Sequence, residues 1–369
     1  MKSTEARKGS GLCGYSYSLV LEGQNYTRCR KTSTRVAFAT FKLLTLIFIV
    51  IFVIFPLSYK YSYKLQSSAV FLNFLHVPSD ANYKNPSSYG LYGSRNFYVT
   101  HDGGITLGVW HILPENHTYP AYDADEGRYF EEALADGQDV IIYHHGNAGT
   151  RLTQHRVELY TILRRYFHVI TFDYRSYGDS SNVAPSEKKV VVDSMFIYEW
   201  VQNRTKGNIF VWGHSLGTSI AIHSMALLQE KGVMPAGVIL ESPFNNMREE
   251  ISEFPLARLF KNLPWFSYTV IDPMQENGFL FQSDKHICKV DAPIMILHAE
   301  DDHVVPFKLG RKLYQEGIKC RREDQGPLLF RAFDGKHGYD HKFICRAPEI
   351  HDIIRNFTSI ALKDRTKVL

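Results

Sequence analysis

Between residues 96 and 333 the chain alternates short apolar runs with longer amphipathic stretches. The first run, "NFYVTHDGGITLGVWHIL", alternates apolar and polar positions around Asp102-Gly103-Gly104 and predicts an antiparallel hairpin. After a polar insertion come "DVIIYHHG", "HVITFDY", "NIFVWG", "AGVILES", "APIMILHA" and "PLLFRAF", each short and rich in branched side chains. Helical segments fall between most of them, one near residues 153–165 and one from about Leu216. Strand-then-helix units in series predict an α/β fold: a mostly parallel central sheet with helices on both faces. No internal repeat, low-complexity tract or phosphate-binding glycine pattern interrupts the series. Residues 246–290 break its rhythm, being longer than one crossover needs. There Phe254, Leu259, Leu263, Trp265 and Phe266 stand among prolines and basic residues. The interval reads either as a helix packed on the domain or as a lid whose outer face meets acyl chains or a bilayer.

A different pattern occupies Val36 to Leu57, "VAFATFKLLTLIFIVIFVIFPL", with almost no polar residues on any face. As a helix it reaches roughly 33 Å, enough to cross a hydrocarbon core. Its single charge, Lys42, lies near one end, from which the side chain can snorkel. No small-residue cleavage site follows in "FPLSYKYSY", so a transmembrane anchor is expected rather than a cleaved signal. The chain thus divides into a tail (1–35), a span (36–57), a Tyr- and Ser-rich connector (58–95) and a large domain (96–369). Arg28, Arg30, Lys31 and Arg35 crowd one flank against Lys60 and Lys64 on the other, which favours a cytoplasmic N-terminus and a luminal or extracellular domain. Sequons at Asn116, Asn203 and Asn356 agree with that side, and the one at Asn25 falls on the other.

Composition adds less. A net charge of +4 over 369 residues gives no support for nucleic-acid binding. Of five cysteines, Cys288, Cys320 and Cys345 follow the span, so at most one bridge can form among them.

The candidate chemistry sits at the ends of the apolar runs. "NIFVWGHSLGTSIAIH" places Ser215 between Gly213 and Gly217, where a strand turns directly into a helix. Such a corner exposes a strained serine hydroxyl, the nucleophile elbow. A serine needs a histidine to take its proton and a carboxylate to orient that histidine, and this fold supplies them in the order Ser, acid, His. "HAEDDHVVP" offers Asp302, just before Val-Val-Pro, with Asp301 as its nearest competitor; Glu241, after "GVIL", is a further alternative. His337 and His341 both follow the last run, and position alone does not separate them. The negative charge on the reacting carbonyl calls for backbone donors, expected at Leu216 and, from "YHHGNAG", at Asn147. His298, the acidic loop and His303 lack a second ligand cluster, so no metal and no cofactor is expected.

Together "YHHGNAGTR", "FDYRSYGDSS", "VWGHSLGTSIA", "LESPFNNM", "LHAEDDHVVPF" and "GYDHKFICRAPEI" resemble the α/β-hydrolase superfamily. They are most similar to its membrane-anchored lysophosphatidylserine lipase branch, also described as monoacylglycerol lipase. The resemblance covers roughly residues 95–360 and implies His341 as the base and Asp302 as the acid. It also implies a single-pass enzyme acting on membrane lipids, with no obligate protein partner evident. Ser176 departs from the branch, which usually carries glycine in that turn. The alternatives are a protein-acyl thioesterase or peptidase of the same fold, and a catalytically silent hydrolase-fold binding protein.

Overall fold

The hairpin and the six apolar runs form eight strands of one sheet: β1 (Ser94–His101), β2 (Ile105–Ile112), β3 (Val140–His144), β4 (His168–Phe172), β5 (Ile209–His214), β6 (Gly237–Glu241), β7 (Ile294–Ala299) and β8 (Leu328–Phe333). The structure is a computed structural model describing residues 24–75, 81–101, 103–117, 126–254 and 257–368. Strand order is β1-β2-β4-β3-β5-β6-β7-β8. β2 pairs antiparallel with β1 and β4, and all other pairs are parallel.

Side chains alternate across the sheet, and both faces are covered. Val140, Ile142, Val211, Val238, Leu240, Ile294 and Ile296 enter one core with residues of the helices Glu187–Gln202 and Leu216–Gln229. Ile141, Tyr143, Phe210, Trp212, Ile239, Met295 and Leu297 enter the other, beneath the helices Gln154–Leu163 and Ile350–Val368. Because neither face meets water, these strands read as unbroken apolar runs. The helix after β3 covers one face and the helix after β5 covers the other. The winding therefore reverses between these two adjacent strands, the point at whose carboxyl ends open α/β sheets place their ligands.

By internal contacts the chain forms two units, divided after Ser58. The helix Gln24–Ile49 runs through a π-helical turn, Val50–Ile54, into Phe55–Tyr61. Its segment Ser33–Tyr61, 29 residues, is the one helix among the described residues long and apolar enough to cross a membrane.

The connector departs from its turn-rich reading. Ser62 caps a helix, Tyr63–Phe71, that buries Val70 and Phe71, with Phe71 edge-on to Phe279 and Phe281. A helix this short is marginal alone, so that contact rather than local propensity forms it. The interval 246–290 is a chain of short helical turns in which Phe266 is buried while Phe254 and Leu259 are exposed. At the departing turn, Ser176 adopts φ 69°. Its hydroxyl accepts from the Asn73 amide at 2.6 Å, a local compensation for a conformation that favours glycine.

Candidate active site

β5 ends at His214 and a helix starts at Leu216, so one residue must turn the chain. Ser215 does so at φ 53°, ψ −123°, a conformation costing about 1–3 kcal/mol that persists only when its neighbours impose it. They do. A Cβ on Gly213 would lie 2.6 Å from the Gly217 carbonyl oxygen, and one on Gly217 would strike the carbonyls of His144 and His145. The Ser215 N–H donates to the Glu241 carbonyl at 3.0 Å, which pins the corner to β6.

The loop after β3 forms the facing wall. A Cβ at Gly146 would come within 3.2 Å of the Ser215 Cβ. The carbonyls of this loop are held from behind. Tyr174 Oη donates to His145 O at 3.2 Å, Tyr177 Oη to Asn147 O at 2.9 Å, and Arg156 to Ala148 O at 2.6 Å. The amides of Asn147 and Leu216 have no acceptor among the described residues. Unpaired N–H groups on both sides of a serine are what a developing oxyanion requires. Tyr174, Tyr177 and Arg156 escaped the sequence reading. The signal for the two tyrosines was their pairing in "FDYRSYG", directly after the strand that flanks β3, whereas Arg156 carried none.

Of the candidate acids and bases, the fold brings Asp302 and His341 together. The His341 Nδ1–H donates to Asp302 Oδ2 at 2.8 Å, and both side chains are almost fully buried. The amides of Val304 and Val305 donate to Asp302 Oδ1 at 2.9 and 2.8 Å. A further partner was not anticipated: His298 Nε2 lies 3.3 Å from Asp302 Oδ2 while donating to Val305 O at 2.9 Å. Burial works against the Asp302 charge, yet the hydrogen bonds from His298 and His341 outweigh it and hold the carboxyl well below its usual range. His214 Nε2 donates to the His341 carbonyl at 2.8 Å, tying the histidine loop to the residue before Ser215.

The competitors lie elsewhere. Asp301 accepts from the Asp340 amide, and His337 is exposed and stacked on Tyr339. His303 is exposed beside Asp340, apart from His298. Glu241 accepts from Trp212 Nε1 at 2.9 Å, and burial pushes its carboxyl up to about 8. Glu250, on the helix Met247–Glu253, is also pushed up to about 8, by burial and then by the negative charge of Asp302. Both carboxyls therefore stay protonated at neutral pH beside a charged Asp302.

A parallel sheet flanked by helices, with a strained serine at a strand end and a buried acid–imidazole pair beyond it, defines the α/β-hydrolase class. The family model for the alpha/beta hydrolase fold matches residues 139–279. Among solved structures the chain is similar to an alpha-beta hydrolase from Vibrio vulnificus (TM-score 0.56, 15% identity, covering 79% of this chain and 90% of that one). It is also similar to an esterase from Pyrococcus furiosus (TM-score 0.55, 16% identity, 78% and 96%). At these identities the likeness establishes the fold.

Curated relatives go further. The chain is 38% identical over 309 residues to lysophosphatidylserine lipase ABHD12 of Danio rerio, covering 83% of this chain and 80% of that protein. It is 39% identical over 308 residues to the Mus musculus protein of the same name (83% and 77%) and 33% identical over 294 residues to human Protein ABHD12B (79% and 79%). The chain is a hydrolase and belongs to the ABHD12 family.

Proposed function

We propose that this protein is a membrane-anchored serine hydrolase that releases the fatty acid from single-chain lipids, lysophosphatidylserine and monoacylglycerols among them. Ser215 Oγ attacks the ester carbonyl while His341 takes its proton; Asp302 fixes the imidazole tautomer and stabilises the imidazolium. The oxyanion lies between the amides of Asn147 and Leu216, worth about 3 kcal/mol per donor. His341 returns the proton to the departing alcohol, and water then releases the acyl group by the same route. The observation that carries this reading is the Asp302–His341 contact of 2.8 Å, tied through the His341 carbonyl to His214, the residue before a serine held at positive φ. The activity in the relatives' name supports the lipid class. So do the outward Phe254, Leu259 and Tyr268 on the interval 246–290, which acts as a lid at a lipid surface.

The apolar helix anchors the chain with its N-terminus cytoplasmic and the hydrolase unit luminal or extracellular. The denser basic flank supports this side, as do the exposed sequon asparagines Asn116, Asn203 and Asn356. A disulfide joins Cys288 to Cys320 and leaves Cys345 buried and free, and such bonds persist in oxidising compartments.

Purified full-length protein should release fatty acid from lysophosphatidylserine vesicles and react with a fluorophosphonate probe, and Ser215→Ala should do neither. Labelling that survives in Ser215→Ala would overturn the nucleophile assignment. Wild-type protein that turns over acyl thioesters or peptides but no lipid ester would overturn the substrate class. Glycosidase treatment that leaves gel mobility unchanged would count against the orientation.

A further inference from the structure

The amino-terminal edge of the sheet, far along the strands from Ser215, carries a second histidine cluster that the proposed hydrolysis does not use. His117 follows β2, Asp136 follows the helix Glu126–Leu134, and His168 is the first residue of β4. Their donor atoms converge. His117 Nε2 is 2.7 Å from Asp136 Oδ2, and His168 Nε2 is 3.5 Å from Oδ1 of the same carboxylate. One ligand atom from each residue lies within 4.8 Å of the other two.

Two features separate this cluster from a carboxylate that merely bridges two imidazoles. First, His168 is fully buried, and its Nε2 has no hydrogen-bond partner although it faces Asp136. A buried polar atom left this way costs about 1–3 kcal/mol unless a ligand engages it. Second, both rings are oriented from outside. His168 Nδ1 lies 3.1 Å from His111 Nε2, and His117 Nδ1 lies 3.2 Å from Asn116 Oδ1. Outer hydrogen bonds to the distal ring nitrogen, with Nε2 directed inward, are the arrangement that metal-ligating histidines adopt.

We propose that His117, Asp136 and His168 bind a divalent transition-metal ion, zinc foremost, with His111 and Asn116 orienting the two imidazoles. Two imidazoles and a carboxylate match the ligand preferences of zinc, whose bonds of about 2.0–2.2 Å would draw the three donors inward around one centre. Water completes the tetrahedron on the exposed side of Asp136. His168 supplies the lone pair at Nε2 when its Nδ1–H donates to His111. The site lies at the opposite strand ends from the nucleophile, so the metal's role is structural: it fastens the insertion between β2 and β3 onto the start of β4.

The test uses full-length protein in detergent, stripped with a chelator, titrated with zinc and desalted. Wild type should retain about one zinc per chain more than either Asp136→Asn or His117→Ala. Its melting temperature should climb with zinc concentration, as expected for a ligand bound by the folded state, and by more than those of the two variants. Both substitutions fall on side chains that reach the surface, 33% and 15% exposed, rather than on buried His168, and the chelated melting temperatures report whether each variant folds. Zinc held elsewhere, for example by Glu187, His223 and His286, cancels in the difference. Equal zinc content in wild type and both variants, or a wild-type melting temperature insensitive to zinc, would overturn the assignment.

Discussion

Two neighbouring strands end in buried carboxyls with opposite fates. Asp302, beyond β7, accepts from His341 and from two backbone amides, and has His298 at 3.3 Å; it is held charged. Glu241, at the end of β6, accepts from the Trp212 indole among buried side chains and is held neutral up to about 8. Burial is common to both, so it does not distinguish a working acid from a structural one. The number and charge of the donors does. A buried carboxylate surrounded by donors can stabilise an imidazolium, whereas one with a single neutral donor keeps its proton and offers nothing to a histidine.

The comparison can be broken by experiment. The largest effect is expected beside it: Ser215→Ala should lower kcat on a lipid ester by about 10⁶-fold, the scale of nucleophile loss in other triads. Asp302→Asn, which removes the charge with little change of shape, should cost about 10⁴-fold in kcat. Glu241→Gln, the same chemical change one strand away, should leave kcat within about twofold. Equal losses in these two variants would erase the distinction between the strand ends. His298→Ala removes one partner of Asp302 and should cost about tenfold, one charged hydrogen bond at roughly 1.4 kcal/mol.

Stability should report the same contrast with opposite sign. The unfolded chain releases the Glu241 proton near 4.5, whereas the folded protein keeps it to about 8. Stability therefore falls as pH rises through that window, and the melting-temperature advantage of Glu241→Gln over wild type should grow between about pH 5 and pH 8. The Asp302 carboxyl, depressed in the folded state, contributes stability above the ordinary carboxylate range and loses it as pH falls, so Asp302→Asn should narrow the gap to wild type in acid. The smallest effect is expected at Ser176→Gly. It relieves strain but forfeits the Asn73 contact, each about 1 kcal/mol, and should move the melting temperature by less than about 3 °C.

Much of this was legible in one dimension. All eight strands sit on the quoted runs, and the Gly-His-Ser-Leu-Gly corner announced itself because glycines at 213 and 217 have no other reason to flank a serine there. Local patterning carries that information, since strand burial and tight turns each restrict residue type over a few positions. Other features were hidden. The connector helix Tyr63–Phe71 forms against Phe279 and Phe281, more than 200 residues away, so no local signal could distinguish it from turn-rich chain. The choice of Cys320 over Cys345 as the partner of Cys288 rests on proximity across the fold, 5.4 Å between Cα atoms.

The sequence by itself determined the strand order of the chemistry, the strained serine and an apolar segment with no polar face, because each follows from the steric and solvent preferences of nearby residues. Tertiary structure decided that Asp302 is held charged while Glu241 keeps its proton, and it brought Asp302 onto His341, the pair the resemblance implies. It also decided how Tyr174, Tyr177 and Arg156 hold the facing loop, and that His168 lies buried toward His117 and Asp136. Those outcomes depend on the field and the hydrogen-bond donors at a point in space, and residues separated by scores of positions supply both.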